Sequence, residues 1–271
     1  MARDALSYPV PVSDRISIIY LEKALLERDG NALVSISGAT RTVIPVGITA
    51  VIMLGPGTTV SHAAVSLCSL EKAILIWVGE GGVRMYATAG QHRSDQILHQ
   101  SALRLNPSGR LTVARRIFQK MFDQEAPLNR SIEQLRGLEG SKVKMLLQQM
   151  SIQNKLEWSG RTMDLSDPVN LAISTSTAAL YGICEAAIVA LGYSPAIGFV
   201  HSGDSRSFVF DIADTIKFKT VVPLAFKIVA EGRNDIERRV RIACRDLFVR
   251  ERLLAKIVQM IEEVMYAANT D

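Results

Sequence analysis

The chain has 271 residues, 48% of them hydrophobic and 21% charged, with a formal net charge of +4. That length supports one large domain or two ordinary ones with real cores, and that composition excludes a disordered chain. Cys68, Cys184 and Cys244 are odd in number, far apart and without a C-x-x-C; they exclude a disulfide frame or a cysteine zinc site and read as reduced core thiols of a cytoplasmic protein.

The N-terminal MARDALSYPVPVSDR lacks a hydrophobic core and carries Asp4 early, so it does not read as a signal peptide. No apolar run reaches membrane-spanning length; the richest, Leu180 to Tyr193, contains Glu185 and two glycines, so no membrane association is expected. Residues 1–90 are neutral, with seven basic and seven acidic side chains, so the whole excess of +4 lies beyond them. A modest basic excess in one half fits a polyanionic partner, although many metabolic enzymes share it.

Short β-rich runs alternate with turns over the first ninety residues. Strands are predicted at Arg15 to Leu21, Ala32 to Ile36, Arg41 to Val46, Ala50 to Met53, Ala73 to Val78 and Val83 to Ala87, with one helix near Ser61 to Leu70. Asp29-Gly30-Asn31, Gly38, Gly55-Pro56-Gly57 and Gly79-Glu80-Gly81-Gly82 supply the turns. The pattern predicts a small antiparallel sandwich or curled sheet. From about Gly90 the period becomes helical, at roughly 94–104, 108–122, 129–150, 169–191, 207–230 and 234–266. Pro223 is expected to kink or split the fifth of these. The fold class is α+β: a β-sandwich-like N-terminal domain (1–90), then a larger all-α C-terminal domain (91–271).

On a wheel for the third helical stretch, Ile132, Leu135, Val143, Leu146 and Met150 share one side, and Glu139 lies at its centre. An unpaired carboxylate on a buried face is costly, so it must be neutralised, hydrogen-bonded or bound to a metal. Asp211 and Asp214 follow His201 by ten and thirteen residues and lie about 60° apart on their helix. Two helices thus present acids where apolar residues are expected, and a shared cation explains both, with His201 beside it. Oxygen donors with one imidazole and no thiolate suit Mg²⁺ or Mn²⁺ better than Zn²⁺. Ordinary readings stand beside this one: a solvated acid pair, Asp211 as a helix cap, Glu139 paired with Arg136 or Lys142, and a satisfied loop histidine.

Arg238, Arg241, Arg245 and Arg252 fall within about 60° of one another in the last helical stretch. Such a row suits phosphates along a duplex, or else a solvated face paired with Asp235, Glu237, Asp246 and Glu251. Tyr181, on a small-residue helix, suits either core or site lining. The GEGG at 79–82 has no P-loop lysine after it and reads as a hairpin turn.

Several long segments in one order, among them VIPVGITAVIMLGPGTTVSHAAVSLCS, LNRSIEQLRGLEGSKVK, LYGICEAAIVALGYSPAIGFVHSGD and SFVFDIADTIKFKTVVPLAF, resemble the CRISPR adaptation integrase/endonuclease family in its type I-E form. The resemblance covers nearly the whole chain. It implies that Glu139, His201 and Asp214 hold a divalent metal, Mg²⁺ or Mn²⁺, with Asp211 also needed at the site. It implies DNA contacts from Arg84, Arg238 and Arg241, with Tyr181 beside the reacting strands, and Arg245 joins them as a member of the arginine row. It further implies a homodimer whose N-terminal domain dimerises and docks a small ferredoxin-like partner in a heterohexamer. Asp204 and Thr59 stand where some relatives carry basic residues.

The expected function is joining of a protospacer 3′-hydroxyl to a CRISPR repeat in double-stranded DNA by transesterification. The alternatives are a structure-specific metal nuclease on branched DNA and a catalytically silent duplex-binding scaffold.

Overall fold

The computed structural model describes residues 17–80, 85–90, 94–162 and 166–266. The chain divides into two compact units, residues 1–92 and 93–271.

The first unit carries two four-stranded sheets. In one, β2 (Leu25–Asp29), β3 (Ala32–Ser37) and β4 (Thr40–Ile44) form consecutive antiparallel hairpins, and the short β6 (Thr59–Val60) lies parallel to β2. Gly30 and Gly38 take φ +60° and +57° in the hairpin loops, a conformation open to glycine without a Cβ penalty. The other sheet has the order β1 (Ser17–Leu21), β5 (Thr49–Leu54), β7 (Ile74–Val78), β8 (Met85–Ala89). Leu26, Leu33 and Ile44 from one sheet and Ile52, Leu54 and Leu75 from the other share a core with Leu67 and Cys68 of helix α1 (His62–Leu70).

The antiparallel expectation holds only in part, because β1, β5 and β7 are mutually parallel. The chain leaves β1 to build the other sheet before returning as β5, and α1 carries it from β5 back to β7. Neither connection is a hairpin, so each strand re-enters in the same direction.

The second unit is helical: α2 (Ser94–Leu105), α3 (Pro107–Phe122), α4 (Ile132–Gln153), α5 (Pro168–Ala190), α6 (Ser207–Asp214), α7 (Val221–Glu231), α8 (Ile236–Arg250) and α9 (Leu253–Tyr266). The starts are written locally. Asn106 and Asp167 cap α3 and α5 ahead of a first-turn proline, and Ser131 with Gln134 forms a capping box on α4. Helix α5 packs against α6, α7, α8 and α9. It is long and apolar enough to cross a membrane by length and composition, contrary to the sequence expectation, but two-thirds of that stretch (67%) is buried within the protein. It is a core helix.

Two predicted helices are broken. The 207–230 stretch divides at a 3₁₀ turn, Lys217–Lys219, and Pro223 sits intact in the first turn of α7. A first-turn N–H has no intrahelical acceptor, so a proline there breaks nothing. The 234–266 stretch divides where Arg252 takes φ +49° between α8 and α9.

Candidate active site

His201 lies on the loop between α5 and α6, and the order of that loop comes from one aspartate. Asp211, wholly buried in α6, accepts the backbone N–H of Phe199 (2.6 Å) and Val200 (3.2 Å) on Oδ2, and that of His201 (2.9 Å) on Oδ1. The same Oδ1 stands 2.8 Å from His201 Nδ1. A buried carboxylate satisfied by this many donors is fixed, and it fixes the ring. In the neutral imidazole Nδ1–H donates to Asp211, which leaves the Nε2 lone pair directed away from it. The hydrogen bond to Asp211 chiefly raises the His201 pKa above its ordinary value, with Asp214 and Glu139 adding to the rise and burial opposing it.

Gly198 lets the loop close on α6. A Cβ there would meet His201 O at 2.6 Å and Ser207 at 2.8 Å, mostly unyielding backbone.

Asp214, three residues on and also buried, faces the other ring nitrogen: its Oδ2 is 4.0 Å from His201 Nε2. Its Oδ1 is buried and pairs with the Lys217 ammonium at 2.5 Å. Glu139 projects from α4 into the same cavity, which Arg136, Val200, His201, Asp211 and Asp214 line together with apolar side chains of α3 and α4. The cavity volume is ≈ 10 Å³, room for one water-sized occupant. Glu139 is half-buried, not at the centre of a buried stripe; the buried positions of α4 are Ile132, Leu135, Leu147 and Ser151. Its pKa is raised, first by burial and then by the Asp214 charge.

The structure therefore brings Glu139, His201, Asp211 and Asp214 together. The ordinary alternatives fare differently. Lys142 donates to Gln124 and lies over the Phe118 and Phe122 rings, and Glu139 forms no ion pair among the described residues. Asp211 caps no helix start; it sits within α6 and accepts from the preceding loop. Sequence reasoning missed Lys217, whose signal was its place three residues after Asp214 on a helical stretch. Among the described residues no three acid, imidazole or thiol side chains stand at ligating distance.

Tyr181, half-buried on α5, packs its ring at 4.9 Å from that of Phe210, and the Phe210 ring lies 5.8 Å from His201. The Tyr181 hydroxyl pKa is raised by burial and by Asp214.

Arg238 and Arg241 are exposed on α8, Arg241 paired with Glu237 at 3.6 Å. Arg245 is half-buried and held by Asp246 at 2.9 Å. Arg252 does not belong to their row, because α8 has already ended. Arg84 lies outside the described residues.

Residues 118–263 match the family model described as CRISPR associated protein Cas1. CRISPR-associated endonuclease Cas1 of Geobacter sulfurreducens is 46% identical over 97% of this chain and 89% of its own length. That of Escherichia coli K12 is 48% identical over 96% and 88%. Among solved structures, a TtCas1–DNA complex superposes with a TM-score of 0.87 at 37% identity, covering 94% of this chain and 98% of that one. A casposase bound to integration product shares the fold, with a TM-score of 0.68 at 13% identity over 94% and 97% of the two chains. A buried acid-and-histidine cavity in a helical unit preceded by a β-sandwich is thus carried by a chain that belongs to the Cas1 family of CRISPR-associated endonucleases.

Proposed function

We propose that the chain is a Mg²⁺- or Mn²⁺-dependent DNA integrase, with Glu139, His201 and Asp214 holding the metal. The carrying observation is the shape of the His201 site. One ring nitrogen is held by a wholly buried carboxylate, and the other faces Asp214, a buried acid paired with the Lys217 ammonium. A ligating histidine is ordinarily oriented in this way, through its second nitrogen. The donor set fits a hard cation: two carboxylates and a neutral imidazole, with no thiolate. Lys217 supplies the positive charge on Asp214 in this conformation.

A bound divalent ion would supply Lewis-acid polarisation of a phosphodiester oxygen. The chain's own residues do the rest. Asp211 is a positioning residue: fully buried and occupied by four contacts, it holds His201 and has no free edge for exchanging protons with solvent. The reaction forms a bond between the 3′-oxygen of an incoming strand and a target phosphorus. It breaks that phosphorus's bond to the target strand's own 3′-oxygen, which leaves as a hydroxyl. One phosphodiester replaces another, so no ATP is needed. A solved relative at 37% identity carries DNA, which supports DNA as the substrate.

Arg238 and Arg241 hold the duplex. The β-rich unit forms the homodimer and docks the small ferredoxin-like partner; exposed Val43, Leu70 and Tyr86 give it apolar contact surface.

The test combines protein, Mn²⁺, a short duplex and a supercoiled target, with and without the small partner, and repeats the assay with Glu139→Ala and His201→Ala. Joined products that vanish in both variants are expected. Cleavage without joining would favour a nuclease using water, and binding with no chemistry would favour a scaffold. Normal joining by Glu139→Ala would sink the assigned site.

A further inference from the structure

Arg206 immediately precedes α6 and is exposed. Its guanidinium stands 5.3 Å from the centre of the Phe210 ring and 6.0 Å from that of Tyr181. Those rings pack on each other at 4.9 Å, and Phe210 also meets the His201 ring at 5.8 Å. A continuous ring contact therefore runs from Arg206 to the imidazole of the site.

The backbone beneath Arg206 is fixed. Asp204 Oδ1 accepts the Arg206 N–H at 2.8 Å, and Ser207 Oγ donates to the Asp204 carbonyl at 2.8 Å. Asp204 thus spends a carboxylate oxygen on the turn. The Arg206 side chain caps no helix, and its guanidinium makes no hydrogen bond or ion pair among the described residues. Arg161, the other cation that acts on the Tyr181 hydroxyl, is the contrast: its donors are spent on Thr162, Asn170 and Ser174. A planar cation held by two aromatic faces, with its N–H donors unspent, is preorganised for a phosphate, which takes two such donors side by side.

We propose that Arg206 is a substrate-binding residue that grips a backbone phosphate of the reacting DNA strand beside the Glu139–His201–Asp214 cavity. Tyr181 and Phe210 hold its guanidinium plane. This rests on the reading of the site as one that acts on DNA.

The experiment measures binding of a short duplex with a single-stranded 3′ end, in EDTA so that no chemistry intervenes, across a salt series. Wild type is compared with Arg206→Ala, Arg206→Lys and Phe210→Leu, each checked by its melting temperature. Loss of one phosphate contact should flatten the slope of log K against log salt by about 0.7–0.9 for Arg206→Ala. Arg206→Lys should restore the slope, because the charge returns. Phe210→Leu should keep the slope and weaken binding several-fold, because the charge stays and the plane is lost. With Mn²⁺ present, Arg206→Ala should raise KM more than it lowers kcat. An unchanged slope together with an unchanged KM in Arg206→Ala would overturn the inference and leave the integrase reading intact. Wild-type protein that bound DNA with this slope difference yet joined no strands would sink only the integrase reading. Wild-type protein that bound no DNA would overturn both.

Discussion

Asp211→Asn is the sharpest perturbation of this site, because it changes one atom and almost no volume. The carboxylate serves two sides at once: Phe199 and Val200 N–H on Oδ2, His201 N–H and Nδ1 on Oδ1. An amide has one oxygen and can serve only one side. If it keeps Phe199 and Val200, its NH₂ faces the His201 N–H and can donate only to Nδ1. The proton must then sit on Nε2, and the lone pair that faced Asp214 is gone. If it turns the other way, two backbone N–H groups lose their acceptor, that of Phe199 in a fully buried place. Hydrogen bonds to a charged acceptor are worth about 1.5–3 kcal/mol each, so losing one outright and weakening the others costs about 2–4 kcal/mol. For a unit of the size of residues 93–271 that is a fall in Tm of about 5–15 °C.

The effect also has a pH signature. His201's pKa is raised chiefly by Asp211, so the native state binds that proton more tightly than the unfolded chain does. The associated stability is fully present below the ordinary histidine value and is lost as pH rises through the raised one. The Tm gap between wild type and variant should therefore be widest in mildly acidic buffer and narrow on the alkaline side. With four histidines in the chain, NMR titration can follow His201 directly, and its pKa should drop in the variant. A variant that melts within about 2 °C of wild type, with His201 titrating unmoved, would refute this account of the loop.

Glu139→Gln should abolish Mn²⁺-dependent joining by about 100-fold or more while melting no lower than wild type at neutral pH. Burial and Asp214 raise the Glu139 pKa, so its ionised form costs stability as pH rises through that value, and the amide escapes the cost; a marked loss of Tm would contradict this. Mn²⁺ at about 100 times its Kd should stabilise wild type by about 2.7 kcal/mol, seen as a Tm rise that EDTA reverses and that is missing in Glu139→Gln and His201→Ala. Gly198→Ala should lower Tm and joining together, since its Cβ would stand 2.6 Å from His201 O and overpacking costs about 1–3 kcal/mol; wild-type behaviour in both would show that the loop yields. Arg238→Ala should flatten the salt slope of duplex binding by about one unit, whereas Arg245→Ala should move it far less, because Asp246 already holds Arg245.

The β-then-α order was legible in the sequence because hydrophobic period changes from two to 3.6 near Gly90, and period follows directly from backbone geometry. Strand direction was not. Period two is the same for parallel and antiparallel pairs, and only the connection through α1 shows that β5 and β7 run the same way. The two broken helices were hidden for a related reason. Lys217–Lys219 and Arg252 carry helix-compatible side chains, and their breaks come from tertiary packing and a left-handed residue rather than from proline.

The acids show the same division between what spacing encodes and what packing decides. A wheel puts Asp211 and Asp214 on one side of a helix but cannot say what each one meets. In the folded chain they diverge: Asp211 is consumed by three backbone N–H groups and one imidazole, and Asp214 is balanced by the Lys217 ammonium alone. The second condition depends on the first. A histidine loop free to rotate could turn its Nδ1–H toward Asp214 and satisfy it, leaving no coordinating face. By spending one carboxylate wholly on the loop, the fold keeps the next one, balanced by the Lys217 ammonium alone, beside the opposite ring nitrogen. That arrangement costs stability in isolation and gives the second acid a reason to be there.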